Sequence, residues 1–279
     1  MKKKFTPTWA IGKVGHWLLK NKPARRTYLC DFQQICKEVQ SGDVLLVEGR
    51  NRISSIIKNI TQSPWSHAML CIGKLEDIEN PEHRKKAKRY YKRTRYYKRK
   101  TSKTDLSGLL IIETDVGVGT IITAIEKYKN DHIRILRPQG ILPEDIQKVI
   151  EYVISRLGTH YSFRHIFDLA RLLLPWGFLP REWRSSLFEQ NALKPTEDIC
   201  SSMIAQAFEN VNFPILPIIE KKGKIVQWVH RNPKLFTPSD FDYSPYFSVI
   251  KYPILPSDKN LSYRDLPWGV IKDKKDEIR

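Results

Sequence analysis

A chain of 279 residues and 32.7 kDa is long enough for one large domain carrying insertions, which excludes a minimal peptide or a fibrous repeat. With 41% hydrophobic residues, 28% charged residues and only 13 glycines, it is neither a fully disordered nor a collagen-like chain. The formal charge of +18 is concentrated: Arg84 to Lys103 holds twelve basic residues and no acidic one, and removing those twelve leaves +6 for the rest. Cys30, Cys36, Cys71 and Cys200 form no CxxC pair, so neither a zinc ribbon nor a disulfide framework is indicated, and a reducing, cytoplasmic compartment is expected. The longest run without a formal charge, Asn59 to Gly73, is fifteen residues, short of the ~20 that span a bilayer. Lys2 to Lys4 are followed by a segment interrupted by Lys13, His16 and Lys20, so no secretory signal is expected either.

In chain order, Thr8 to Lys20 sets Trp9, Ile11, Val14, Trp17 and Leu18 among basic residues, an amphipathic helix suited to docking on its own domain or on a membrane surface. Ala24 to Gln40 repeats apolar residues at helical spacing and stops at the turn Ser41-Gly42-Asp43, with Cys30 and Cys36 as helix residues without chemistry. Asp43 to Gly49 reads as a strand, Ile53 to Ile60 as a short helix and Ser66 to Leu75 as a strand beginning near His67. Gly108 to Asp115, Gly119 to Ile125 and His132 to Leu136 are three further β-rich runs, which together predict a small antiparallel sheet or barrel. Pro143 opens a helix closed by Gly158. Phe163 to Phe188, dense in Leu, Trp and Arg and broken by Pro175 and Pro180, reads as a helical hairpin or lid. Thr196 to Val211 is a helix with Thr196 as its N-cap, and Lys224 to His230 is a strand before a Pro-rich remainder.

Three positions stand out chemically. A helix N-terminus and a nearby imidazole both lower a thiol pKa, and Cys200 has the first of these by sequence. It also lies on an apolar stripe with Met203, Ile204, Ala207, Phe208 and Val211, so a buried structural cysteine is the competing reading. Of seven histidines, His67 stands out because Trp65-Ser66-His67 begins a strand, where an imidazole is held rigidly while its flanks pack, although a lone strand histidine is more often structural. Glu113 sits within the apolar strand Leu109 to Thr114, where an unpaired carboxylate is costly; paired with an imidazole, it would orient the ring and favour its charged form. No HExxH or Gly-rich phosphate loop is present, so neither a metal nor a cofactor is implied.

The succession Gly42-Asp43-Val44-Leu45-Leu46, Ser66-His67-Ala68-Met69-Leu70, Ile111-Ile112-Glu113-Thr114, Gly158-Thr159-His160-Tyr161-Ser162-Phe163 and Ile199-Cys200-Ser201-Ser202-Met203-Ile204 resembles the permuted papain-fold hydrolases of the NlpC superfamily, YiiX/YebB type. Phe236 to Phe241 and Tyr243-Ser244 resemble the closing segment of that family. The resemblance implies an α+β, circularly permuted papain-like fold. It further implies Cys200 as nucleophile, His67 as general base, Glu113 as the residue orienting His67, and Tyr161 as a substrate-pocket residue. The chain departs from the pattern at Ser162, where an acidic residue is frequent, and at Ser202-Met203, where Glu-Leu is common; the family's lipoprotein or secretory leader is not seen.

The expected organisation is therefore a helical extension over 1–40, a catalytic domain over 41–256 with a basic insertion at 76–106 and a lid at 163–190, and a charged tail over 257–279. The expected activity is a cysteine hydrolase cleaving an amide of a peptide or peptidoglycan fragment, or an ester, through an acyl-enzyme. The alternatives are an acyl-lipid hydrolase or acyltransferase at a membrane surface, and a non-catalytic binding protein. For the basic segment, which also carries Tyr90, Tyr91, Tyr96 and Tyr97, three readings compete. A solvated, self-repelling loop is the simplest, contact with an anionic membrane comes next, and nucleic-acid binding comes last because no nucleic-acid fold accompanies it.

Overall fold

The computed structural model of the chain describes residues 31–94, 108–115, 118–159, 200–222 and 225–250. Its centre is an antiparallel sheet of six strands in the order β4-β3-β2-β1-β5-β8. The strands are β1 (Val44–Glu48), β2 (His67–Gly73), β3 (Leu110–Asp115), β4 (Gly119–Ala124), β5 (His132–Pro138) and β8 (Phe247–Ile250). Among the described residues the sheet is open, with β4 and β8 as its edges, so of sheet and barrel it is the sheet that these residues form. A separate hairpin pairs β6 (Ile218–Lys222) with β7 (Ile225–Val229). The helices are α1 (Phe32–Glu38), α2 (Arg52–Thr61), α3 (Pro81–Arg93), α4 (Pro143–Ser155), α5 (Cys200–Glu209) and α6 (Pro238–Tyr243). The fold is thus mixed α and β. Among the described residues no helix is long and apolar enough to cross a membrane.

The apolar runs of β1 and β2 are continuous rather than alternating because both sheet faces are covered. On one face Val44, Leu46, Ala68, Leu70 and Ile112 pack with Ala87 and Tyr91 of α3, Val149 and Val153 of α4, and Met203, Ile204 and Phe208 of α5. On the other, Leu45, Val47, Met69, Ile111 and Ile133 pack with Ile35 of α1 and Ile125 of a 3-10 turn, Ile125–Tyr128. The turn before β1 has Gly42 at φ +89°, and a Cβ there would lie 2.5 Å from Ile146 of α4, so only glycine lets the helix layer approach. Behind it Asp43, 1% exposed, accepts hydrogen bonds from Arg137 Nε and Nη2, both at 2.9 Å, and Arg137 Nη2 also reaches Glu38 O at 2.6 Å. That ion pair fastens the end of α1 to β5.

The basic segment corrects an expectation. Its first half is not a loop: Arg84 to Arg93 belong to α3, opened by Asn80 as N-cap and Pro81 in the first turn. Ala87 and Tyr91, spaced i and i+4, are buried against the sheet, and that narrow stripe is sufficient to order a helix charged elsewhere. Residues 95–107 lie outside the described residues, as do 1–30 and the segments expected to form a lid at 163–190 and a charged tail at 257–279. The strands β6 and β8 and the short helix α6 go beyond the sequence reading; α6 begins with a reciprocal capping box between Thr237 and Asp240.

Candidate active site

His67 opens β2, and its backbone is fixed before its side chain is considered. It pairs with Val47 of β1, while Ser66 donates its N–H to Val47 O at 3.1 Å and accepts from Gly49 N–H at 2.9 Å. One residue further back, Trp65 is buried and donates Nε1–H to Asp242 of α6 at 2.9 Å, and Arg134 grips the same carboxylate with two bonds of 2.7 and 2.8 Å. Helix α6 and strand β5 thereby anchor the start of the histidine strand.

The β2–β3 ladder runs only from Leu70–Ile112 to Gly73–Leu110, so the first residues of β2 and the last of β3 lie beyond it. His67 and Glu113 occupy those two unladdered ends, and α5 brings Cys200 to the same place. His67 Nε2 and Glu113 Oε2 are 2.8 Å apart, which leaves Nδ1 for the Cys200 thiol, to which His67 is also hydrogen-bonded. The backbone N–H groups of Ala68 and Ser201 are directed at the same sulfur. Cys200 is 7% exposed, while the His67 side chain keeps 21% of its surface accessible.

Glu113 is 1% exposed, yet its carboxylate has three donors. Besides His67, Lys127 Nζ donates to Oε1 at 2.6 Å and Tyr128 OH donates to Oε2. The Tyr128 ring also stacks on the imidazole, with centroids 6.2 Å apart. Lys127 and Tyr128 belong to the 3-10 turn after β4 and were not singled out in the sequence; a Lys-Tyr pair in a short turn looks like ordinary surface.

The electrostatics follow from these contacts. Burial of Glu113 would raise its pKa, but the Lys127 charge and then the His67 bond hold it at about 2. Burial disfavours the His67 cation, yet the adjacent sulfur and Glu113 outweigh that and raise its pKa to about 10. Burial also opposes ionisation of Cys200, and the His67 charge, its hydrogen bond and the two backbone N–H groups reverse the sign, so this thiol is lowered. The other described thiols move the opposite way: burial lifts Cys36 to about 11 and Cys71 to about 12. The sulfur and the imidazole thus each favour the charged form of the other.

Three of the four expected site residues are brought together, while Tyr161 lies outside the described residues, as does Cys30. Among the described residues no group of three or more His, Cys, Asp and Glu side chains is arranged to hold a metal ion. No family model and no curated protein matches the chain. Among solved structures the chain is similar to the crystal structure of the metalloprotein YiiX from Escherichia coli O157:H7, at 12% identity and a TM-score of 0.44, with 77% of this chain and 97% of that chain covered.

Proposed function

We propose that the chain is a cysteine hydrolase on a permuted papain-like framework, cleaving an amide or ester through an acyl-enzyme. The observation that carries this reading is the contact chain from Cys200 through His67 to Glu113, with the thiol lowered and the imidazole raised. His67 accepts the Cys200 proton at Nδ1, and the thiolate attacks the carbonyl carbon of the substrate. The negative charge passes to the carbonyl oxygen, where backbone N–H groups near the start of α5 serve as donors. The imidazolium then returns its proton to the departing amine or alcohol as the carbon–nitrogen or carbon–oxygen bond breaks, leaving a thioester on Cys200. A water molecule, deprotonated by His67, attacks that thioester, releases the acid and restores the thiol.

Glu113 stays ionised throughout, and the Lys127 and Tyr128 bonds fix the carboxylate that orients the ring. The test is alkylation by iodoacetamide followed residue by residue with mass spectrometry between pH 5 and 10, together with hydrolysis of an activated ester. Cys200 is expected to label at pH 6 to 7 well ahead of Cys36 and Cys71, and His67→Ala to slow it; equal labelling of all the thiols would remove the proposal.

A further inference from the structure

The helix α3 carries a charge pattern that the site chemistry does not use. Its inward side is committed: Ala87 and Tyr91 are in the core, and Lys86 Nζ donates to Ser155 O at 2.8 Å. Tyr90 lies so close to Gly158 that a Cβ there would be 2.6 Å from its hydroxyl oxygen. Its outward side presents Lys85, Lys88, Arg89, Lys92 and Arg93, all exposed. Their spacing of three and four residues makes one stripe about 12 Å long. Glu82, in the first turn, is the only acidic residue of the helix. The stripe repels itself, and Lys86 records it: burial, and then the Arg89 charge, lower its pKa.

The stripe also has a definite place in the molecule. Gly158, under Tyr90, donates its N–H to Thr120 O at 3.0 Å, and the Thr120 hydroxyl lies 3.0 Å from that of Thr159. The hydroxyls of Thr120 and Thr114 approach the Met203 sulfur at 3.8 and 4.0 Å, three residues after Cys200 on α5. The C-terminal half of α3 therefore stands at the same end of the sheet as Cys200. Val118, 58% exposed, lies at that end, two residues ahead of Thr120.

We propose that the outer face of α3 is a docking surface for an anionic phospholipid bilayer, which brings the Cys200 end of the molecule to the headgroup layer. A straight row of long cationic side chains on a convex helix matches a planar layer of anionic headgroups, and an exposed apolar residue at the same end of the sheet suits the interface. A single-stranded nucleic acid would call for exposed rings to stack on bases, whereas both tyrosines of α3 face inward. The docking does not depend on turnover at Cys200.

The experiment is co-sedimentation of the full-length protein with vesicles of phosphatidylcholine alone or with about a third phosphatidylserine, at roughly physiological and at high salt. Binding is expected only with phosphatidylserine and should fall with salt. The variant K85Q/K88Q/K92Q, which keeps helix-forming residues, is expected to lose about a hundredfold in partitioning, at roughly fivefold per cation. K37Q/K74Q/K129Q removes equal charge from other exposed positions and is expected to stay within about threefold of the wild type. Cys200→Ala should bind as the wild type does, so a failed hydrolase reading and a failed docking surface give different results. Equal losses in the two triple variants, or binding that ignores phosphatidylserine, would overturn the assignment. So would tighter, α3-dependent binding to duplex DNA at equal phosphate concentration, which would give the surface to nucleic acid. Circular dichroism and thermal melting of each variant establish that any loss comes from a folded protein.

Discussion

Asp43 and Glu113 are both 1% exposed, both ion-paired, and both at strand ends of the same sheet, yet their surroundings differ in a way that separates scaffold from chemistry. Asp43 is enclosed by Arg137 and the Gln40 N–H, and none of those partners releases or accepts a proton near neutral pH. Glu113 shares its oxygens with Lys127, Tyr128 and His67, and His67 passes the influence on to a sulfur. A buried carboxylate by itself is thus no sign of function. The informative feature is a titratable partner whose second atom faces a nucleophile.

The largest expected effect lies at the sulfur end of that contact chain. Cys200→Ala and His67→Ala should each reduce hydrolysis by roughly 10⁴- to 10⁶-fold, with thermal stability close to that of the wild type. Asp43→Ala should do the reverse. It leaves Arg137 without its carboxylate and should destabilise the fold by about 1 to 3 kcal/mol, while the folded fraction retains its turnover. Urea unfolding and active-site titration on the same samples separate the two outcomes, and a dead but stable Asp43→Ala protein would erase the distinction.

Next comes Glu113→Gln, expected to cost roughly 10² to 10⁴ in rate, since an amide holds the ring without favouring its cation. The pH dependence of stability sharpens the contrast further. With its pKa depressed from 4.5 to about 2, Glu113 contributes stability that is complete above pH 4.5 and is lost as the pH falls toward 2. Asp43 is raised above its ordinary 3.8 by burial, despite Arg137, and so supplies no such gain. Removing Glu113 should flatten the acid limb of urea-derived stability between pH 4.5 and 2. An unchanged slope in Glu113→Gln would place the acid sensitivity elsewhere.

How much of this was legible in the sequence depends on the kind of signal. The strands around His67 and Glu113 announce themselves as apolar runs, and a carboxylate inside one of them is conspicuous because it is expensive. Cys200 was legible as one end of a helix but equally as part of an apolar stripe; what favours the first description is its meeting with His67, 133 positions away in the chain. Helix α3 was hidden because its burial signal is two residues, Ala87 and Tyr91, within a block of cations. Lys127 and Tyr128 were hidden for a different reason. Their role arises from a 3-10 turn folding beneath β3, and no local spacing encodes that contact.

Lys127 offers the finest division between a structural and a chemical role. It is the largest influence drawing the Glu113 pKa down, so removing it with Lys127→Met raises that pKa while the carboxylate remains ionised at pH 7. The carboxylate charge, no longer balanced by the ammonium, then falls more fully on His67 and raises its pKa above the present value of about 10. A more basic imidazole forms the thiolate just as readily but surrenders its proton less easily to a leaving group. Hydrolysis of an amide, whose nitrogen must be protonated to depart, should therefore slow by about tenfold, whereas a nitrophenyl ester, whose leaving group needs no proton, should change by less than about threefold. Lys127→Arg should restore the amide rate. Equal losses on both substrates would mean that Lys127 merely supports the turn and that the charge balance around Glu113 has no part in proton return.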